Sequence, residues 1–391
     1  MKRNRWSACV GLAVALALSM VSFANAGTEV RMRGLLDLGL VSSNDGRLLN
    51  RLTFGDSNLD PYRLRMFLDA QLSPSLEVHV QSILHEGSGA LRADGAYALW
   101  TPWPGRDLSL EAGKIPWPIG TYAARTYSDK NWLMGSPLMY QYRTGLKWNA
   151  LAADRDELVA DAGLGQIDSD GQHAYLPIVD KRWWDTGAVA LGSLRPLEFS
   201  LGVVQGSPSW PSPGVDDTPG QTVLGRLGLV PAPGIRMGVS AADGTWMPSW
   251  LAYGLPAGAS LRDYRETTLM ADGELALGAF ELRGEGVHRR WETITTGDLD
   301  VDGGYLEARV SLVSGAWLAL RGDALRFSDV TTSANVTRPW DDDVQRLEGV
   351  IGYRMTRDVR FKLGVQRTQR KPFGAGWVKT DLLMAGLGVK F

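Results

Sequence analysis

Catalysis and metal binding need particular side chains within reach of one another, so the 391-residue chain is read first for those. It has four histidines, His79, His85, His173 and His288, and one cysteine, Cys9. His79 and His85 fall on one face of a strand but six residues apart. At ~3.3 Å per residue that is ~20 Å, too far for one metal ion or one proton relay. The sequence contains no G-x-S-x-G, no H-E-x-x-H, no P-loop and no G-x-G-x-x-G. A lone cysteine supports neither a disulfide nor a thiolate metal site. Asp298-Leu-Asp300-Val-Asp302-Gly303 copies half of an EF-hand loop, but the twelfth position is Arg309 instead of Glu. That leaves at most a loose Ca²⁺ or lipopolysaccharide-bridging site on an acidic loop. The chain reads as a non-enzyme without a cofactor.

Two groups of charges have a different use. Lys114, Arg125, Tyr127, Asp129, Lys130 and Arg143 lie in and around one long segment near 115–141. Opposed charges at a narrowing would sort small solutes by size and charge. Arg31, Arg33 and Asp37 lie on one alternating stretch, and Arg63, Arg65 and Asp69 on the next. Facing water, they would line a pore wall. If Arg31 and Arg33 face Arg63 and Arg65, four cations share a sector, offset by the two carboxylates. Aromatic residues of the long segment (Tyr122, Tyr127, Trp132, Tyr140 and Tyr142) offer stacking surfaces for a sugar-like solute, or anchors for the segment.

The elements that must carry these residues are strands. Val30, Met32, Leu36, Leu38 and Leu40 share one parity, against Arg31, Arg33 and Asp37 on the other. Tyr62, Leu64, Met66, Leu68, Ala70 and Leu72 oppose Arg63, Arg65, Asp69 and Gln71. The rule continues through Leu306–Leu312, Leu347–Tyr353 and Phe361–Val365, with Arg283, Glu285, Glu307, Arg309, Arg321, Asp323, Arg346, Glu348 and Arg360 on the polar parity. Runs of about nine to thirteen residues suit a tilted strand crossing a bilayer better than a soluble strand. Eight short connections, among them 73–75, 152–157 and 314–315, alternate with nine long ones, among them 115–141 and 167–183. This predicts an all-β, antiparallel transmembrane barrel of eighteen strands, with short periplasmic turns and long extracellular loops. The alternation is weakest near 92–100, 158–166 and 221–230, and losing one hairpin gives sixteen.

The ends of the chain agree. Lys2, Arg3 and Arg5 precede an uncharged apolar run from Trp6 to Phe23 and an Ala24-Asn25-Ala26 site, which predicts a signal peptide over 1–26 and a single barrel over 27–391. Removing the leader's three cations takes the formal charge from −2 to −5. Leu383, Ala385, Leu387 and Val389 alternate to Phe391, a pattern resembling the last-strand signal that barrel assembly machinery reads. Tyr62, Trp100, Trp103, Trp148, Trp184, Trp317 and Tyr353 lie near strand ends and suit interfacial girdles. With 41 basic and 43 acidic residues, the chain does not have the charge of a nucleic-acid binder, and 44% hydrophobic residues exclude disorder.

Gly113-Lys114-x-x-x-Pro118-x-Gly120, ending a strand just before the longest loop, resembles the phosphate-selective porin O/P family of Gram-negative outer-membrane porins. The resemblance implies a sixteen-stranded barrel whose third long loop folds inward and narrows the pore, and a homotrimer in outer-membrane lipid and lipopolysaccharide. Dense Lys and Arg at the constriction underlie phosphate selectivity in that family. Here Asp129 sits among few cations and the mature chain is acidic. The expectation is a porin for small hydrophilic solutes, weakly anion-preferring at most. The alternative is a dedicated polymer exporter or a non-conducting scaffold barrel.

Overall fold

The computed structural model describes residues 29–43, 61–85, 90–103, 105–166, 174–180, 184–210 and 219–391. The 1–26 leader, His173 and much of the first long loop lie outside them. Alternating side chains put apolar groups on one face and polar groups on the other. In lipid such a sheet must close, because an open edge leaves backbone N–H and C=O groups without partners.

It closes with sixteen strands. The first five are β1 (Glu29–Ser43), β2 (Tyr62–Ser73), β3 (Leu76–His85), β4 (Arg92–Trp100) and β5 (Leu108–Pro116). After the long segment 117–183 come β6 (Trp184–Leu194), β7 (Leu197–Val204), β8 (Thr222–Ala232), β9 (Ile235–Thr245) and β10 (Arg265–Leu277). The rest are β11 (Phe280–Trp291), β12 (Leu299–Ser311), β13 (Ala316–Phe327), β14 (Asp343–Arg354), β15 (Val359–Lys371) and β16 (Val378–Lys390). All neighbours are antiparallel, and β16 returns to pair with β1 from Leu35↔Lys390 to Ser43↔Leu382. Gly34 and Phe391 exchange two backbone bonds of 2.7 and 3.0 Å at the chain end. Gly34 leaves room for the Phe391 ring, which would stand 2.3 Å from a Cβ there.

Outward positions expose Leu40, Leu201, Val239, Leu306, Leu347, Leu363 and Leu383, which in water would be an aggregation surface and in a bilayer is a solvated one. Inward positions carry charge. Register pairs opposite signs, as in Arg283↔Glu307 and Arg321↔Glu348.

Eighteen strands is therefore corrected to sixteen, with the extra hairpin placed at 143–166. Arg143–Lys147 pairs with Tyr175–Pro177 in a separate two-stranded sheet. The short connection assigned to 152–157 overlaps a helix, Arg155–Ala160. Asp154 caps it by accepting from the Glu157 amide at 2.9 Å, while Glu157 Oε2 accepts from the Ala153 amide at 2.6 Å. The Asp-x-x-Glu spacing is a helix-start signal, which a count of alternating residues passes over. The less regular stretches near 92–100 and 221–230 are wall strands β4 and β8.

Candidate functional site: the lumen and the segment inside it

The segment after β5 enters the barrel through two special glycines. Gly113 has φ +129° and Gly120 φ +61°. A Cβ on Gly113 would lie 2.5 Å from the Ala96 carbonyl oxygen, and one on Gly120 2.9 Å from the Tyr140 hydroxyl. The motif's glycines thus serve a close strand approach and a sharp inward turn.

From there the segment touches wall strands around most of the circumference. Ser200 on β7 donates to the Pro118 carbonyl at 3.2 Å, and the Gly120 amide donates to Ser240 on β9 at 3.0 Å. Glu285 on β11 accepts from the Thr121 amide, from Thr121 Oγ1 at 2.7 Å and from the Tyr140 hydroxyl. Glu348 on β14 accepts from the amides of Met134 and Gly135, both at 2.8 Å, and from Arg321 at 2.7 Å. Arg321 in turn donates to the carbonyls of Gly135 and Ser136. Asp323 accepts from the Leu138 amide at 2.9 Å, and Lys362 donates to the carbonyls of Ser128, Asn131 and Leu133. The Arg283 guanidinium lies 3.5 Å from the centre of the Trp132 ring, with Arg309 at 4.9 Å.

A charged inward wall thus serves as a set of donors and acceptors for irregular backbone that a barrel interior would otherwise leave unpaired. Leu138, Met139, Tyr140, Tyr142 and Leu146 are buried in an apolar cluster that reaches Trp246, Leu251, Trp291 and Trp340. Above it, Asp341 accepts from the Gly145 amide at 2.8 Å, the Gly163 amide at 2.7 Å and the Tyr142 hydroxyl at 3.2 Å. Burial pushes the Asp341 carboxyl up to about 7, although the backbone donors pull the other way.

The residues singled out for a constriction divide. Tyr127, Asp129 and Lys130 line one cavity of about 630 Å³, together with Arg31, Arg33 and Asp69. Tyr127 donates to Gln81 at 2.6 Å and lies under the Arg65 guanidinium at 4.8 Å. Lys130 is exposed. The other three are elsewhere. Lys114 donates to the Ala93 carbonyl at 3.2 Å. Arg125 is buried and donates to Glu274 at 3.3 Å and to Thr121 at 3.0 Å. Arg143 donates to the Tyr175 carbonyl at 2.7 Å.

The wall residues do not form a cluster of four cations. Antiparallel register sets Arg31 across from Asp69 and Asp37 across from Arg63. Arg33 pairs with Asp69 at 2.6 Å and the buried Arg63 with Asp37 at 2.5 Å. Arg65 is also buried and donates to the Thr126 carbonyl at 3.1 Å. Arg31 holds Glu29 at 2.7 Å. Of the aromatic residues named from sequence, Tyr122, Trp132, Tyr140 and Tyr142 are buried anchors. The cavity's other rings, Phe67, Tyr97 and Trp184, come from three wall strands. Its position near a strand end suits Trp184 to a girdle, and no sequence spacing ties the three together.

Asp298 to Asp302 is not an acidic loop site. Most of it is strand β12, with Asp300 bound to Arg290 at 2.7 Å and Asp302 to His288 at 2.9 Å. Among the described residues no group of three metal-ligating side chains converges.

No family model matches the chain. No curated protein matches it either. Solved structures do. OmpT, an outer membrane protein of Vibrio cholerae, superposes with a TM-score of 0.56 at 10% identity over 93% of this chain and 98% of its own. OmpF of Salmonella typhi, in complex with daunomycin, gives 0.55 at 11% identity over 94% and 99%. The outer membrane channel DcaP of Acinetobacter baumannii gives 0.55 at 9% identity over 94% and 99%. At these identities the likeness shows the fold, and the fold is porin-like.

Proposed function

We propose that the chain is an outer-membrane porin, a passive channel for small hydrophilic solutes, in which the inward segment forms the constriction. The observation that carries this is a closed sixteen-stranded barrel with an apolar outside, a charged inside and a polar cavity bordered by Tyr127, Asp129 and Lys130. Sixteen strands are wide enough for water. Anion preference is weak at most, because Arg31, Arg33 and Arg63 each hold a carboxylate (Glu29, Asp69 and Asp37) and Arg65 is buried against the Thr126 carbonyl. The Gly113–Gly120 motif supports kinship with the phosphate-selective porin O/P family in architecture, without that family's cation density.

The assignment carries further parts: export by the 1–26 leader, assembly through Phe391, a homotrimer, and contact with lipid and lipopolysaccharide. A non-conducting scaffold has one observation in its favour, the burial of nearly every residue from 131 to 146. Single-channel recording of the purified protein in a planar bilayer decides between them. Steps of conductance are expected, with a reversal potential near zero in a salt gradient, shifted toward cations by Lys130→Glu. A silent bilayer, with the protein shown to be folded, would sink the porin assignment.

A further inference from the structure

The cavity beside Tyr127 has a lining that diffusion alone does not require. It lies between the starts of β1, β3 and β6, the ends of β2, β4 and β16, and the inward segment. Its volume, about 630 Å³, falls within the ~300–1,000 Å³ of small-molecule sites.

Five flat rings border it: Phe67, His79, Tyr97, Tyr127 and Trp184. They hold one another in place. Phe67 meets Tyr127 edge-on at 5.5 Å, His79 stacks on Tyr97 at 5.0 Å, and Tyr97 lies 6.3 Å from Trp184. Gly95 makes room for the last of these, since a Cβ there would stand 2.3 Å from the Trp184 ring.

The polar groups between the rings are nearly balanced in sign, four cationic side chains against three carboxylates. Several are already paired. Asp69 binds Arg33 at 2.6 Å and lies 2.8 Å from His79 Nδ1, while His79 Nε2 lies 3.4 Å from Glu77. Pairs of this kind give little net attraction to an ion. They do give fixed donors and acceptors side by side, which match neighbouring hydroxyl groups on a ring. Aromatic faces complement the C–H faces of the same ring.

We infer that this vestibule recognises neutral saccharides, held by C–H faces on the aromatic rings and by hydroxyls on the Arg33–Asp69–His79–Glu77 chain. This names a solute class for the channel proposed above and rests on that assignment. A planar anion such as benzoate would use the rings, but would meet Asp69, Glu77 and Asp129 as well as the cations. The balance therefore favours an uncharged polyol ring.

The test uses the full-length protein in a planar bilayer, with maltotriose as the saccharide and sodium benzoate as the anion. Maltotriose should lower the current reversibly and with saturation. Phe67→Leu with Tyr97→Leu, which keeps apolar bulk and removes two ring faces, should raise the half-blocking concentration about tenfold. In parallel, maltotriose should change the tryptophan fluorescence of the protein in micelles, and Trp184→Phe should abolish that change. Current without block, and fluorescence without response, would overturn the saccharide site and leave the porin standing. Block by benzoate but not by maltotriose would also overturn it. Absence of any current would overturn the porin assignment instead, and the micelle titration would still decide the site.

Discussion

Two sectors of the barrel wall are written in the same pattern and do different jobs. On β1 to β3, Arg31, Arg33, Asp69, Glu77 and His79 border an open cavity, and their ion pairs are partly hydrated. On β11 to β14, Arg283, Glu285, Glu307, Arg321, Arg346 and Glu348 are buried beneath the inward segment. Both sets sit on the inward parity of amphipathic strands. The difference is what covers them. A charge facing water is worth little to stability, whereas a buried charge has been desolvated and depends on each partner it keeps. Inward charge in a wide barrel is thus of two kinds, wall that borders open space and sockets that hold a plug of chain.

That contrast can be broken most sharply at Glu348. Glu348→Ala removes the acceptor for two amides and leaves Arg321 with a lost partner in a dry site. A loss of about 3–5 kcal/mol is expected in denaturant unfolding from lipid vesicles. Glu285→Ala should cost about 1–3 kcal/mol, by stranding the Thr121 amide and the Tyr140 hydroxyl, and should raise hydrogen exchange at Thr121 and Gly120. If either variant matched the wild type, the sockets would be incidental.

The Asp341 clasp sharpens the comparison through pH. Its folded carboxyl titrates near 7, above the ~3.9 of an unfolded chain. The folded state therefore holds the proton more tightly. The stability this contributes is fully present below about pH 4 and is lost as pH rises toward 7. Protection of the Gly145 and Gly163 amides, corrected for intrinsic exchange, should fall between pH 5 and pH 8, and Asp341→Asn should flatten that slope.

The smallest effect is expected in the hydrated sector. Asp69→Ala breaks the Arg33 pair, where Arg33 is more than half exposed, and should change stability by no more than about 1 kcal/mol. A loss as large as that of Glu348→Ala would erase the distinction between wall and socket.

Much of the architecture can be read from the residues. Period-2 alternation from Val30 to Leu40 and from Leu383 to Phe391 already separates lipid face from lumen face, because side chains on a strand alternate sides whatever the strand pairs with. The strand count is legible to within one hairpin. It fails at 143–166, where Asp154 and Glu157 start a helix that packs against the long loops at Thr296 and Ser333, and the local pattern imitates a wall strand. The candidate site was legible in part. Tyr127, Asp129 and Lys130 come from one segment, and their proximity follows from the chain. Lys114, Arg125 and Arg143 are near them in sequence but are drawn to other partners.

Sequence by itself determined that the chain builds a closed sheet with charge inside and lipid outside, since alternation and strand length are local properties. Tertiary structure alone decided which inward charges stay wet and which are buried, and that Phe67, Tyr97, Tyr127 and Trp184 meet around one cavity. Those outcomes depend on register between strands and on where 67 residues between β5 and β6 come to rest. Both are set by contacts between residues far apart in the chain, and no window along the sequence contains them.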